Sequence, residues 1–443
     1  MNKRWWPVLT AVGVVLLATG IFVVRDWSFF RMPNFMVEDA TVLFSDVYTR
    51  NPIGAVLNAF NGYLIVGQYL LAYVAVGANL LIGGHLTSLP VVTALVACTS
   101  LGVAASLPFL LFRKELGVWL ALALVAFTAL VPMYSYDYAI IGSLSNLKFL
   151  FLYIAFMFIL FRFKALKPWQ YLIVDWLLLL CVLTDAPVAF LVPFVLLPYV
   201  RKWRDYLTLK LSRKYLPVYS GLALVVISAL YVVATVVHGI PKMPGYMDAP
   251  FQAQSLLPVV DRSTFYAWLY PITSEINSYF VVGLLLIAGA GAVIIWKRLP
   301  RERVILAFAI WALVISTGLL VANRPGIGLY YLTYDHKGGP DQFFYAQNMI
   351  IIFVTGWLLR NYLQKLNLRG RSWIVAGAVV YLALAIPHGT SFGGSSIVYK
   401  DMRPIDYNLA KACREYADKP EVIIQIYPNT YWQWQVKKNI ACK

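Results

Sequence analysis

Two adjacent carboxylates, Glu38-Asp39, stand among apolar neighbours in the run Phe35-Met36-Val37-Glu38-Asp39-Ala40-Thr41-Val42-Leu43-Phe44-Ser45-Asp46. Poor solvation and mutual repulsion raise the proton affinity of one member of such a pair, which suits a general base. Asp39 opens an expected helix, where an Asp is also an ordinary N-cap. Asp46 falls on the same helical face but about 10 Å further along the axis, too far to serve the same reacting atom. Asp137, in Tyr134-Ser135-Tyr136-Asp137-Tyr138, reads either as a substrate-binding group with its tyrosines or as part of an interfacial aromatic belt. Asp185, in Thr184-Asp185-Ala186-Pro187, is either an ionisable group sunk below a membrane surface or a turn cap before Pro187. The histidines His85, His238, His336 and His388 show no ligand spacing, and no HExxH, paired CxxC, P-loop or dinucleotide fingerprint is present. Nothing requires a cofactor; a divalent cation suits the Glu38/Asp39 carboxylates chemically but has no other support.

The elements that must position these groups are membrane spans. Of the 443 residues 60% are hydrophobic and 13% charged, far from the balance of a soluble domain. The net charge of +17 lies in short basic clusters between apolar runs, not in one patch, which argues against nucleic acid. Apolar segments fall at residues 5–24, 89–112, 117–133, 148–163, 171–200, 215–237, 279–296, 304–322, 348–363 and 372–387. Trp5 to Val24 is too long for a signal-peptide core and has no small-x-small site after it, so it reads as the first span.

Two regions decide the topology. If Gly62 to Val76 lies on the membrane without crossing, and 171–200 enters and returns as two short helices broken at Asp185-Ala186-Pro187, then 21 of the 37 basic residues gather on the cytoplasmic side. Changing only one assignment would put every later cluster outside. The expectation is an all-α integral membrane protein of about 11 membrane segments, N-terminus cytoplasmic and C-terminus extracytoplasmic, with amphipathic juxtamembrane helices in the first outer loop. Residues 1–387 form the polytopic domain, with long outer loops at about 25–88 and 238–278, and 388–443 form a small α/β extracytoplasmic tail. Within the tail, Ile405 to Asp418 reads as a helix and Glu421 to Tyr427 and Tyr431 to Val436 as strands, packed on the membrane body as a lid or rim. Cys413 and Cys442 either pair there, in an oxidising compartment, or stay as two free thiols. Of the 20 acidic residues, 16 face outward, which places the chemistry at the outer face.

An acidic pair in the outer loop after the first span, followed by Asn61-Gly62-Tyr63-Leu64-Ile65-Val66-Gly67-Gln68-Tyr69-Leu70 read as a surface helix, resembles the GT-C class of membrane glycosyltransferases. Closest in pattern are bacterial multi-span members that decorate surface polysaccharides. Weaker similarities recur at Asn146-Leu147-Lys148-Phe149, at Asp185-Ala186-Pro187, at Gly339-Pro340-Asp341-Gln342-Phe343-Phe344-Tyr345, and at Val422-Ile423-Ile424-Gln425-Ile426-Tyr427-Pro428 in the tail. The resemblance implies transfer of a sugar from a polyprenyl-phosphate donor to a cell-surface glycan or glycolipid acceptor at the outer leaflet of the plasma membrane. Asp39 would be the base and Glu38 its neighbour or substitute. The family often places an Arg before the aromatic of the late-loop motif, where this chain has Gln342. That departure leaves Lys148, Arg262, Arg324, His336 and Lys337 as candidates for the lipid phosphate, with Asp137 and Asp185 as further substrate-binding candidates. The rival readings are a polytopic transporter or lipid flippase, which needs charged groups lining a path across the midplane, and a non-catalytic assembly partner in polysaccharide export.

Overall fold

The computed structural model describes residues 6–25, 27–36, 38–60, 62–131, 141–164, 166–202, 215–237, 256–269, 278–299, 302–323, 343–365, 375–384, 403–426 and 433–442. Its principal helices are α1 (Trp6–Arg25), α2 (Val66–Leu81), α3 (Leu89–Leu116), α4 (Val118–Ala129), α5 (Leu150–Arg162), α6 (Pro168–Val182), α7 (Leu216–Val237), α8 (Leu256–Thr264), α9 (Ser278–Arg298), α10 (Arg303–Asn323), α11 (Tyr345–Lys365) and α12 (Ile405–Glu415). Among the described residues the one sheet is an antiparallel pair, β1 (Glu421–Gln425) and β2 (Gln433–Lys437), with Ile423 opposite Gln435.

Among the described residues six helical segments are long and apolar enough to cross a membrane: α1, α3, α5 together with the 3-10 turn Ser145–Phe149 before it, α7, α9 and α10. The protein is thus a multi-pass membrane protein. The 20 residues of α1 reach about 30 Å, the thickness of a hydrocarbon core. Along α9 the apolar side chains point away from the protein, Leu286 and Ile287 being 69% and 70% exposed. In water that surface would drive aggregation; facing lipid it costs nothing. The remaining apolar helices are shorter, among them α2, α4 and α6.

Contacts sort the chain into two ends. At one, the Arg25 guanidinium, buried at the end of α1, donates to the carbonyls of Ala129 (2.6 Å) and Val131 (3.0 Å) beyond α4. There too the N–H groups of Val66 and Gly67, which open α2, reach the Leu183 carbonyl (3.2 Å) and the Thr184 hydroxyl (2.9 Å). At the other, Lys164 pairs with Glu115 at 2.7 Å, and Glu302 accepts from Arg360 (2.7 Å) and from the Trp357 indole (2.9 Å). Lys164 lies over the Phe112 ring and Arg360 over the Trp357 ring, and those two rings meet at 5.4 Å, so the two pairs stand together.

The broken region follows the expected path in and back. Arg162 forks onto Asp175 with its Nε at 2.6 Å and Nη2 at 3.1 Å, and its Nη1 donates to the Val195 carbonyl at 3.0 Å. Asp175 and Val195 flank Asp185 symmetrically in sequence, so the chain has returned to the level it left. The return limb is not an α-helix: Ala186–Phe190 and Val192–Lys202 are 3-10 helix. Pro187, Pro193 and Pro198 remove amide donors from that limb. A second expectation needs correction. Gly62 and Tyr63 lie in a tight turn, not in the surface helix, which starts only at Val66. Phe60 and Tyr63 exchange backbone hydrogen bonds of 2.8 and 3.2 Å, and Gly62 has φ +83°, the left-handed geometry that an Asn-Gly hairpin needs.

The tail is a compact cover on the loop that follows α1. The Ile405 N–H donates to the Pro33 carbonyl at 2.9 Å, Asn34 donates to the Arg403 carbonyl at 3.1 Å, and the rings of Phe35 and Trp434 meet edge to face at 5.2 Å. Cys413 and Cys442 form a disulfide.

Candidate active site at the first outer loop

The loop after α1 enters the site through a π-helix, Asp39–Phe44. Such wide turns are rare and recur at functional sites. The sequence suggests that Asp39 caps its own helix; the structure places the carboxylate on another one. Asp39 Oδ1 accepts from the Ser145 N–H at 2.8 Å and from the Ser143 hydroxyl at 3.2 Å, and Oδ2 accepts from the Leu144 N–H at 3.1 Å. These are the free amides at the start of the 3-10 helix Ser145–Phe149, so Asp39 anchors the loop after α1 to the start of α5 by capping that turn. Asp39 is 1% exposed. Burial pushes its carboxyl up to about 6, against the opposing pull of the two amides and the two serine hydroxyls. A carboxylate has about four acceptor positions, so Oδ2 retains capacity that Oδ1 has spent.

Glu38 behaves differently. It sits at the N-cap position of the π-helix without making a capping bond, and its buried Oε2 has no hydrogen-bond partner among the described residues. Unpaired buried acceptors are rare, and each calls for a reason. Asp46 is fully engaged, accepting from Arg50 (2.7 Å), Asn58 (2.7 Å) and the Tyr69 hydroxyl (2.5 Å). It fixes the loop, consistent with its exclusion from the reacting pair.

One 3-10 turn beyond Ser145, a rise of about 6 Å, stands Lys148. The residue is 7% exposed, and its ammonium lies over the rings of Phe60 (5.4 Å), Tyr63 (6.0 Å) and Phe149 (5.3 Å). Phe60 and Tyr63 are the two ends of the Gly62 turn, which explains why the chain folds tightly there. Cation–π contact of this kind compensates part of the desolvation of a buried ammonium. Asp185 is close enough for its charge to act on Lys148 and on the Tyr231 phenol. It occupies the N-cap position of the returning 3-10 limb, yet its side chain makes no capping hydrogen bond. The side chain thus makes no turn cap, and its charge acts on the lysine through space. Tyr231 accepts from the Leu64 N–H at 3.0 Å and closes this side of the group. The buried Gln68 amide bridges the two loops: oriented with its oxygen toward the 3-10 helix, it accepts from the Lys148 N–H at 3.2 Å and donates to the Ile65 carbonyl at 3.1 Å.

Arg262 lies on α8, its guanidinium stacked on the Tyr266 ring at 4.5 Å and its carbonyl accepting from Asn348 at 3.0 Å. On the same helix Val259 packs in a cluster with Phe343 and Phe344, which meets the lysine cage where Phe149 and Phe343 touch edge to face at 4.9 Å. Asp137, Arg324, His336, Lys337 and Gln342 lie outside the described residues. Among the described residues no three His, Cys, Asp or Glu side chains gather as a metal site. The site thus unites Glu38, Asp39, Lys148 and Asp185 at one end of the bundle. Sequence reading missed Ser143, Ser145, Gln68, Thr184 and Tyr231 as their partners; Ser-x-Ser just before a span is a capping signal that could have pointed to the first two. No protein-family model matches the chain, and no curated protein is similar to it.

Proposed function

We propose that the chain is a glycosyltransferase of the GT-C type. It moves a sugar from a polyprenyl-phosphate donor to a glycan or glycolipid acceptor at the outer leaflet. The observation that carries this reading is the juxtaposition, at one apolar end of a membrane bundle, of a buried carboxylate with a raised proton affinity and a buried lysine one helical turn away. In the proposed step the acceptor hydroxyl oxygen attacks the anomeric carbon as the bond from that carbon to the phosphate oxygen breaks. The electron pair leaves on the phosphate, and the hydroxyl proton passes to Asp39. A base titrating near 6 is ionised at neutral pH and still basic enough to take that proton. Lys148 supplies positive charge for the departing phosphate, and its low-dielectric cage strengthens the attraction. Glu38 is the alternative acceptor, and Asp185 holds Lys148 in place.

The proposed topology is about eleven membrane segments in a plasma membrane, N-terminus cytoplasmic and C-terminus outside. Two observations support it: Lys164 and Arg360, from two clusters assigned to the cytoplasmic side, stand together through Phe112 and Trp357, and the Cys413–Cys442 bridge fits a tail in an oxidising compartment.

The test is sugar release by the purified protein from a panel of polyprenyl-phosphate sugars, alongside Asp39→Asn and Glu38→Gln. Turnover that survives unchanged in both variants sinks the base assignment. No turnover with any donor favours the transport or assembly-partner readings.

A further inference from the structure

Trp434 is 2% exposed, yet it belongs to the small tail and not to the membrane bundle. Its ring meets Phe35 edge to face at 5.2 Å, and Phe35 in turn meets Phe44 at 5.5 Å. Phe44 ends the π-helix that begins at Asp39, and Leu43 and Phe44 are wholly buried. A rare helical geometry is thus backed by an aromatic stack whose outermost ring comes from the other end of the chain. The tail reaches this position through two holds. Its start is tied to the outer loop by the bonds from Ile405 to Pro33 and from Asn34 to Arg403. Its far end, β2 and the short helix Lys438–Ala441, is closed back onto α12 by the Cys413–Cys442 bridge, with Asn408 on α12 also donating to the Gln425 carbonyl at 3.0 Å.

We propose that the disulfide-closed tail is a positioning element for the first-loop carboxylates: Trp434 seals the apolar wall behind the π-helix that carries Asp39, and the Cys413–Cys442 bridge keeps Trp434 there. Its meaning for transfer rests on the reading above; the placement itself does not. Trp434 touches no reacting group and acts through Phe35 and Phe44. Its indole Nε1 has no hydrogen-bond partner among the described residues. The ring, not the donor, is therefore what matters, and Phe should replace it where Ala should not.

The readout is the ionisation of Asp39, which the seal keeps out of water. Among the described residues the ionisable groups on the elements packed around it are Glu38 on its own turn, Asp46 and Tyr48 on the next helix with Arg50 at its end, Tyr69 and Tyr73 on α2, Lys148 on the 3-10 helix and Lys437 on β2. The hydrogen bonds to its carboxylate come from residues 143–145.

The experiment uses the full-length protein in detergent and a hydrophobic carbodiimide, which modifies protonated carboxyls. The adduct on Asp39 is quantified by peptide mass spectrometry across pH. Wild type and Trp434→Phe should label with a midpoint near 6. Trp434→Ala, and wild type after reduction of the disulfide, should move the midpoint toward the ordinary carboxylate value of about 4 as water reaches the loop. At pH 6 the labelled fraction should then fall several-fold. A midpoint that stays near 6 in both overturns the proposal, and so does a shift in Trp434→Phe equal to that in Trp434→Ala. If Trp434→Ala does not fold, the reduced wild type decides alone. No sugar transfer is measured, so an inactive wild type leaves this placement standing, and an unmoved midpoint leaves the glycosyltransferase reading standing.

Discussion

Replacing Asp39 by Asn separates its chemical role from its structural one, because the two energies nearly cancel. Burial lifts the carboxyl from 3.8 to about 6. At about 1.4 kcal/mol per pH unit, keeping Asp39 ionised costs the folded state about 3 kcal/mol at neutral pH. The sign follows from proton binding. The folded carboxyl holds its proton more tightly than the unfolded one, so this stability is full below about 4 and is lost as pH rises through about 6. Asn removes that cost. In exchange its amide turns one N–H₂ toward the Leu144 or Ser145 N–H, a clash of donors worth roughly 1–3 kcal/mol. The variant should therefore unfold within about 2 kcal/mol of wild type at pH 7, and should lack the decline in stability that wild type shows between about pH 4 and 7. Its transfer rate should fall by about 10²- to 10⁴-fold, the range for a lost general base. Asp39→Ala is the worse probe, since it strands two buried backbone N–H groups and costs roughly 2–6 kcal/mol in folding. Thermal unfolding in detergent from pH 4.5 to 8, with rates measured on the same preparations, checks both. A variant with the wild-type pH slope would refute the buried charge, and one with the wild-type rate would refute the base.

Glu38→Gln should leave stability within about 0.5 kcal/mol of wild type, because the affected oxygen has no partner to lose, and a rate loss matching that of Asp39→Asn would reassign the proton acceptor. Arg162→Met strands the buried Asp175 and should cost about 3–5 kcal/mol in thermal unfolding, most of it recovered in Arg162→Met/Asp175→Leu; a single variant as stable as wild type refutes the clamp. Gly67→Ala puts a methyl 2.6 Å from the Phe151 ring and 2.8 Å from the Thr184 hydroxyl, so it should destabilise by roughly 1–3 kcal/mol. An unchanged melting temperature would show that α2 does not sit that close to the break before Asp185. For sidedness, an impermeant maleimide on intact cells should label Asp418→Cys but label Lys167→Cys only after permeabilisation. The native thiols are buried or bridged and should stay silent, and labelling of both positions from the same side refutes the topology.

The parts of the fold legible in the sequence are those set by solvent and by local chemistry. Hydrophobic runs marked the long helices, Asp185-Ala186-Pro187 marked the break though not the 3-10 form of the limb after it, and the limits of the tail helix and strands came within a few residues of α12, β1 and β2. The Asn-Gly turn was present in the sequence but was absorbed into an apolar run, where its hairpin signal was outvoted. What stayed hidden is non-local. Asp39 meets Ser143 across 104 residues, and Arg162 lies 55 residues from the Pro217 carbonyl it also reaches. No periodicity encodes such pairings; they follow from how helices stack once the chain is in place.

The acids at this end differ most in what their oxygens have left to accept, and that ordering is what points to chemistry. Asp46 has spent its carboxylate on Arg50, Asn58 and Tyr69, and is a fastener. Asp39 has spent Oδ1 but keeps capacity on Oδ2, so it is both held and available. Asp185 makes no capping bond and acts on Lys148 through space, while Glu38 carries an oxygen with no partner among the described residues. Burying an unpartnered acceptor such as Glu38 Oε2 costs about 1–3 kcal/mol. A fold selected for stability alone would pair it or replace it with an apolar group. Its place next to Asp39, whose Oδ2 keeps capacity, and at the same end of the bundle as a caged lysine is what the proposed reading draws on.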